Sequence, residues 1–440
     1  MKVLLLAAGR SRRVKPIEDK NFLKFAGRTL LEHQLDTLKR VGLSDMIVVG
    51  GKHNLNRLKE LTKPFKALVL EQKNLDEGMA GAVLTAKGKI KNEPLLILSS
   101  NDVLAQSAFE KMLKASQSKA DAYLLAFKVK QYFPGGYLKM KGQRILDIVE
   151  KPGAGKEPSK WVNIVVHLFK NPKDLFEALE KSKSKNDDRY ERTLQSLMKE
   201  LHFEAVPYDG FWQPVKHPWH VLDLMQFSFK VMGARIHPGA KIAKTAVVGK
   251  NVVIEAGVKI FEHATVQGPA YIGKNCVIGN NALVRESMLG ENCVVGYNTE
   301  LARSFVGDNC WFHSNYIGDT VMGDDCSFGA GAICANLRLD EKAISSGGEN
   351  SGRTKFGPIL GDHIRVGVNT SLMPGVRIGS NTMIASGLVI TQDIEAGKFV
   401  SGKMELKISE NKTTTQTPHR HSPCTGSQDE LRGRHRELLK

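Results

Sequence analysis

Close to its start the chain runs LLLAAGRSRR, so that Ala8, Gly9 and Ser11 lead directly to Arg13. Small residues let backbone approach phosphates closely, and N–H groups with guanidinium charges then neutralise them. Lys20 follows near enough along the chain to reach the same place. Asp102 ends the apolar run LLILSSND. An acid at the tip of a parallel strand sits where such sheets bind ligands, and one carboxylate can hold Mg²⁺ against phosphate oxygens. A nucleoside triphosphate would suit this set. Much later, His313 and Tyr316 stand three apart in FHSNYIGD, and Asn336 heads a polar stretch containing GRTKFG. Histidine titrates near neutrality and suits general-base work, although a lone histidine at a corner is usually just exposed.

Two kinds of element must position these groups. In the second half aliphatic residues recur every six positions, from Ile236 through Ile242, Val248, Ile254, Ile260, Val266, Ile272 and Ile278 to Val284. The series continues with one-residue deletions to Phe328 and resumes from Leu360 to Ile390. A period of six is neither a helix nor an alternating strand. It predicts a parallel β-solenoid with one aliphatic per short strand and three strands per coil. Cys276, Cys293, Cys310 and Cys326 lie 17, 17 and 16 residues apart, which predicts an inward-facing column of thiols. A vertical column does not converge on zinc. The first half alternates strand-like MKVLLLAAG, DMIVVGG and EPLLILSSND with amphipathic TLLEHQLDTLKRVG. That alternation predicts an α/β domain on a largely parallel sheet.

The 440 residues are therefore divided at 1–230, 231–403 and 404–440, the last an aperiodic segment expected to be disordered. Hydrophobic residues make up 41% and charged residues 25%, which excludes a disordered, collagenous or coiled-coil chain. The net charge is +17, of which residues 1–230 carry +14. The basic residues are spread over helices without interleaved aromatics, so no nucleic-acid partner is expected; a basic surface that attracts a small polyanion is. The six cysteines form no CxxC pair. No apolar stretch is long enough to span a membrane, and the basic cluster follows the first apolar run, the reverse of a signal peptide. A cytoplasmic protein is expected.

Further marks follow in order: Gln72 and Gly78 in EQKNLDEGMAG, Gly136 in PGGYL, Glu150 in IVEKP and Asn163 in WVNIV. With the glycine-arginine start, Lys20 and Asp102, this series resembles the sugar-phosphate nucleotidylyltransferases over nearly all of residues 1–225. The resemblance implies a Rossmann-like nucleotidyltransferase domain. It implies that Ala8, Gly9, Ser11 and Arg13 cradle phosphate and that Lys20 contacts it. Gln72 and Gly78 would read the base, Asp102 would hold Mg²⁺, and Gly136, Glu150 and Asn163 would hold a sugar-1-phosphate. The chain departs from the family pattern at Asp19, Asn101 and the residue after Asn163. Where the family often has a second metal ligand after a late tryptophan, this chain has FWQPVKHPWHVLD, and Asp223 is the substitute considered.

The hexapeptide series resembles the hexapeptide transferases, which implies a left-handed coil. With His313, Tyr316, GAG and the ANLR loop, residues 236–403 resemble the acetyltransferase half of the bifunctional glucosamine-1-phosphate acetyltransferase/uridylyltransferases, in their archaeal form. On that resemblance His313 deprotonates the amine that attacks acetyl-CoA. Tyr316, Asn336, Arg353 and Lys355 bind sugar phosphate or orient the amine, with Arg285 and Arg303 as further phosphate candidates. Ala330 leaves room for acetyl-CoA. Related solenoids imply a homotrimer or a multiple of one. Two other readings stand beside the bifunctional one. One is a glucose-1-phosphate or mannose-1-phosphate nucleotidylyltransferase whose solenoid is a scaffold; the other is a non-catalytic regulatory subunit of the same architecture.

Overall fold

Val3, Leu4 and Leu5 are wholly buried, which is why the first strand reads as a continuous apolar run. In a computed structural model, which describes residues 1–184, 188–403 and 407–410, this strand (Lys2–Leu6) lies inside a nine-stranded sheet. Met46–Gly50 and Leu95–Ser99 flank it, both parallel to it. The chain leaves the central strand in one direction and returns on its other side, so a crevice opens at the strands' C-terminal ends. Into that crevice run the loops holding Gly9–Arg13 and Ser99–Asp102. Helix Leu30–Arg40 begins with a capping box, in which Thr29 and Glu32 satisfy each other's backbone N–H groups.

The sheet is mixed rather than largely parallel. Trp161–Phe169 runs antiparallel to both its neighbours, Leu95–Ser99 and Ala122–Lys128. Gly136–Lys141 and Arg144–Glu150 form a hairpin. The linker of that hairpin is too short for a crossover, so its strands can pair only antiparallel.

From Arg235 onward three stacked parallel sheets of eight, nine and eight strands form the faces of a prism. The repeat aliphatics fill its interior, Ile254, Ile272, Ile278, Leu289 and Ile317 all with no exposed surface. Ile236 is the exception at 51% exposure, because the first coil is stacked on one side only. The corners need left-handed backbone. Asn275, Asn292 and Asn309 supply it at φ 58°, 57° and 58°, and their carboxamides link coil to coil at 3.2 Å. The thiol column is present: Cys276, Cys293, Cys310 and Cys326 donate to the carbonyls of Gly290, Gly307, Gly323 and Gly361 at 3.0–3.4 Å. Burial and neighbouring thiols push the Cys276 and Cys310 thiols far up, as expected of small buried packing groups.

Met1–Ser401 pack as one compact unit, and the reason is a shared apolar core. Helix Trp219–Val231 lays Leu222, Met225 and Phe229 against Tyr271, Met288, Phe305, Val321 and Ile359 of one prism face. The inserted stretch 337–359 adds Ile344 and Phe356 to this core, with Phe356 edge-on to Trp219 at 6.1 Å. Residues 404–406 and 411–440, expected from sequence to be disordered, lie outside the described residues. Among the described residues no helix is long and apolar enough to cross a membrane.

Candidate active sites

The glycine-arginine loop turns at Ser11, whose left-handed φ of 50° caps the short helix Arg12–Val14. A Cβ placed on Gly9 would meet nothing within 4 Å, so no neighbour in the chain demands glycine there. What an added side chain would fill is space above the loop. The buried Ser11 hydroxyl has no hydrogen-bond partner among the described residues. Both features suit a loop built to meet an external oxygen-rich group.

Beneath the loop is a cavity of about 650 Å³ lined by Ala8, Gly9, Ser11, Arg13, Lys20, Gln72 and Gly78, every nucleotide candidate named from sequence. Lys20 is almost wholly buried and its Nζ donates to the carbonyl of Val215 at 3.0 Å. Burial lowers its pKa to about 8, with Asp102 pulling the other way and Arg13 adding to the decrease. The Gln72 amide donates to the carbonyls of Asn74 and Gly78 at 2.9 and 3.0 Å. With both its hydrogens engaged, the side chain has its carbonyl oxygen left to accept from a base. Gly78 sits at φ 54°, ψ −141°, a conformation open only to glycine, and starts helix Gly78–Thr85.

Asp102 opens the short strand Asp102–Leu104, which pairs with Trp212–Pro214, and its Oδ1 accepts from Trp212 Nε1 at 2.8 Å. Burial raises its pKa; Trp212, Lys216 and Lys20 act against that rise. A carboxylate taken from water and flanked by two ammonium groups suits a place where Mg²⁺ and phosphate oxygens meet. One carboxylate with phosphate ligands is also the usual magnesium arrangement.

Gly136, Glu150 and Asn163 come together outside that cavity's lining. Gly136 faces Glu150 across the hairpin, and a Cβ there would lie 3.0 Å from Glu150 Oε2 and 3.9 Å from Asn163 Cβ. Asp223 is not with Asp102. It pairs with Arg353 across the seam between helix Trp219–Val231 and the inserted stretch. The two candidates, Asp223 for metal and Arg353 for substrate, are thus each other's partners, because Asp223 is the carboxylate that helix packing presents to Arg353.

On the solenoid, Asn336 Nδ2 donates to Tyr316 Oη at 3.1 Å and to Asp319 Oδ2 at 2.5 Å. Arg303 holds the same Asp319 through two bonds of 2.8 and 2.7 Å. Lys355 bridges to Leu337 and so lies beside Asn336 in the chain's path. Arg285 is held by Glu300 at 2.6 and 2.9 Å. Both arginines therefore already have carboxylate partners. His313 is exposed one residue past the strand Trp311–Phe312, its ring 6.4 Å from that of Trp311. Ala330 is exposed on a neighbouring turn. A second cavity, of about 960 Å³, lies between Lys24 and Arg57 on one side and Asp308, Asp324 and Asp362 on the other. Though larger, it holds neither the Asp102 nor the His313 group.

Comparison with known proteins matches residues 3–204 to a MobA-like NTP transferase domain, 231–350 to a GMPPB C-terminal domain and 359–392 to the hexapeptide repeat of succinyl-transferase. The bifunctional protein GlmU of Methanocaldococcus jannaschii is 32% identical over 92% of this chain and 98% of its own. This chain belongs to the bifunctional GlmU family. A bifunctional sugar-1-phosphate nucleotidylyltransferase/acetyltransferase of Sulfurisphaera tokodaii is 29% identical over 91% of this chain and 99% of its own. GlmU of Methanococcus maripaludis is 29% identical over 94% and 100%. The α/β nucleotidyltransferase domain and the left-handed parallel β-helix of hexapeptide repeats are thus the architecture of this GlmU relative.

Sequence reading passed over Lys216. It lines the 650 Å³ cavity, and the charges acting on it include Asp102, Arg13 and Glu150. Its signal is the lysine in FWQPVKH, at the stretch where the family pattern has a metal-binding carboxylate. Lys20 carries a testable consequence for this GlmU relative. Below a pKa of about 8 it is an ammonium; above it, the attraction for phosphate is lost. The kcat/KM for the triphosphate should fall as pH rises through about 8, and Lys20→Arg should move that fall out of range, since guanidinium stays charged. A flat wild-type profile to pH 9.5 would remove Lys20 from the site.

Proposed function

We propose that the chain is a two-site enzyme that completes a nucleotide-activated amino sugar. In the α/β domain a nucleotidyl group would pass from UTP or dTTP to N-acetylglucosamine-1-phosphate or a related sugar-1-phosphate, releasing pyrophosphate. In the solenoid glucosamine-1-phosphate would take an acetyl group from acetyl-CoA. The observation that carries this reading is the pair of lysines Lys20 and Lys216 acting on the Asp102 carboxylate, with Arg13 beside both lysines, at the sheet's switch point. Such a charge arrangement serves in-line displacement, where catalysis is positioning and charge neutralisation.

Within it Gly9 and Ser11 would set the triphosphate's path, and Lys20 and Arg13 would neutralise it. Lys216 would hold the attacking sugar phosphate, near Glu150, against the α-phosphorus. Asp102 would hold Mg²⁺, which when bound screens the phosphate oxygens. The Gln72 carbonyl oxygen would accept the ring N–H that uracil and thymine share. In the solenoid, His313 would take the proton as the amine attacks the thioester carbonyl, and coenzyme A would leave. Arg303, Asp319 and Asn336 form a linked group that would orient Tyr316.

A homotrimer fits the two uncovered prism faces, where Trp311, Met383 and Phe399 on one and Ile333 and Val389 on the other are at least 40% exposed. A cytoplasmic location fits five buried cysteines that are all unpaired. The test gives purified protein glucosamine-1-phosphate, acetyl-CoA, Mg²⁺ and a panel of triphosphates, with light scattering on the same preparation. Coenzyme A and then pyrophosphate should both be released, by a particle of three chains or a multiple. Pyrophosphate from glucose-1-phosphate with no coenzyme A release would favour the scaffold reading. A clean monomer would remove the trimer.

A further inference from the structure

We propose that Tyr190 and His167 form a hydrogen-bonded relay that fixes the carboxamide of Asn163 and thereby sets the enzyme's hold on the sugar phosphate. The inference rests on the reading above, in which Asn163 contacts that substrate. His167 has no exposed surface. Its Nδ1 lies 2.9 Å from Tyr190 Oη and its Nε2 2.9 Å from Asn163 Oδ1, with the His167 and Tyr190 rings stacked at 5.7 Å.

Residues four apart on a regular strand are about 13 Å apart, too far for this contact. The strand Trp161–Phe169 breaks register between Ile164 and His167, and that irregularity brings position 167 back onto Asn163. The proton order follows from the donors. A phenol has one hydrogen; given to Nδ1, it puts the imidazole hydrogen on Nε2, which donates to Asn163 Oδ1. Asn163 is then locked with its oxygen turned inward, and its two amide hydrogens are left for other acceptors. Gly136 and Glu150 lie on that substrate side. Burial pushes the His167 pKa down to about 3, opposed by the Ile164 carbonyl, so the ring is neutral at working pH and carries a single hydrogen.

The relay also spans two regions. Tyr190, on helix Arg189–Glu200, is buried and is among the residues that line the 650 Å³ cavity, while its hydroxyl meets His167.

A double-mutant cycle read in Michaelis constants tests the relay. Asn163→Ala should raise KM for the sugar phosphate by roughly tenfold, the worth of one or two hydrogen bonds. His167→Leu should raise the same KM by a similar factor, with KM for the triphosphate and kcat within about twofold of wild type, since it acts only through Asn163. Combined, the two should cost no more than Asn163→Ala alone. Tyr190→Phe, which removes one hydroxyl, gives the same cycle if His167→Leu does not fold. A rise for Asn163→Ala with none for His167→Leu or Tyr190→Phe overturns the relay and spares the site. Additive losses, or equal rises in both Michaelis constants, also overturn it, as a general structural effect. No change for Asn163→Ala removes Asn163 from the sugar site, and the relay with it.

Discussion

Asp102→Ala should lose pyrophosphate release by roughly 10²–10³-fold or more, the scale seen when one electrostatic contact at a reacting centre is deleted. Coenzyme A release should be unchanged, because the candidate acetyl-transfer residues lie on the solenoid. The expectation follows from the geometry: the carboxylate is buried, bonded to Trp212 Nε1 at 2.8 Å, and balanced by Lys20 and Lys216. Removing it takes from two ammonium groups the carboxylate that acts on them most, and from the Trp212 indole N–H its acceptor. Asp102→Asn separates these losses, since its carbonyl oxygen can still accept from Trp212 while its charge is gone. If the asparagine variant stays nearly as active as wild type, the metal assignment is wrong. There is also a pH signature. Because burial raises the Asp102 pKa, protonation on acidification sets in at higher pH than for an ordinary aspartate. Activity should therefore fail on the acid side earlier than a solvent-exposed carboxylate would allow.

His313→Ala should lower acetyl transfer to glucosamine-1-phosphate by roughly 10²–10⁴-fold, the usual contribution of a general base. Nucleotidyl transfer to preformed N-acetylglucosamine-1-phosphate should continue at the wild-type rate. His313 is placed by the corner after Trp311–Phe312, and its own carbonyl is held by the Thr299 hydroxyl, so alanine should not disturb the coil. Two results would sink the assignment. No coenzyme A release by wild-type protein with any amino-sugar phosphate makes the solenoid a scaffold; full-rate acetylation by the variant puts the base elsewhere.

The solenoid was legible in the chain because every coil repeats the same local requirement. One aliphatic points inward, a small or polar residue turns the corner, and neighbours six apart see the same environment. Even the coil length could be read, from the spacing of Cys276, Cys293, Cys310 and Cys326, since stacked positions must recur once per turn. The nucleotide loop was legible for a similar reason. The candidates Gly9, Ser11 and Arg13 lie within a few residues of one another, and Gln72 and Gly78 six apart.

Whatever repeats or closes over a short span could thus be read from the chain alone: the prism, the buried strands, the glycine-arginine loop and the order of candidate residues. The pairings between distant segments came only with packing. Lys20 meets Val215 and Lys216 across nearly two hundred residues, Asp223 turns from a metal candidate into the partner of Arg353, and a break in register brings His167 onto Asn163. None of these has a local signature. Each depends on how helices and strands pack, and a charged side chain's role is fixed by which opposite charge that packing buries beside it.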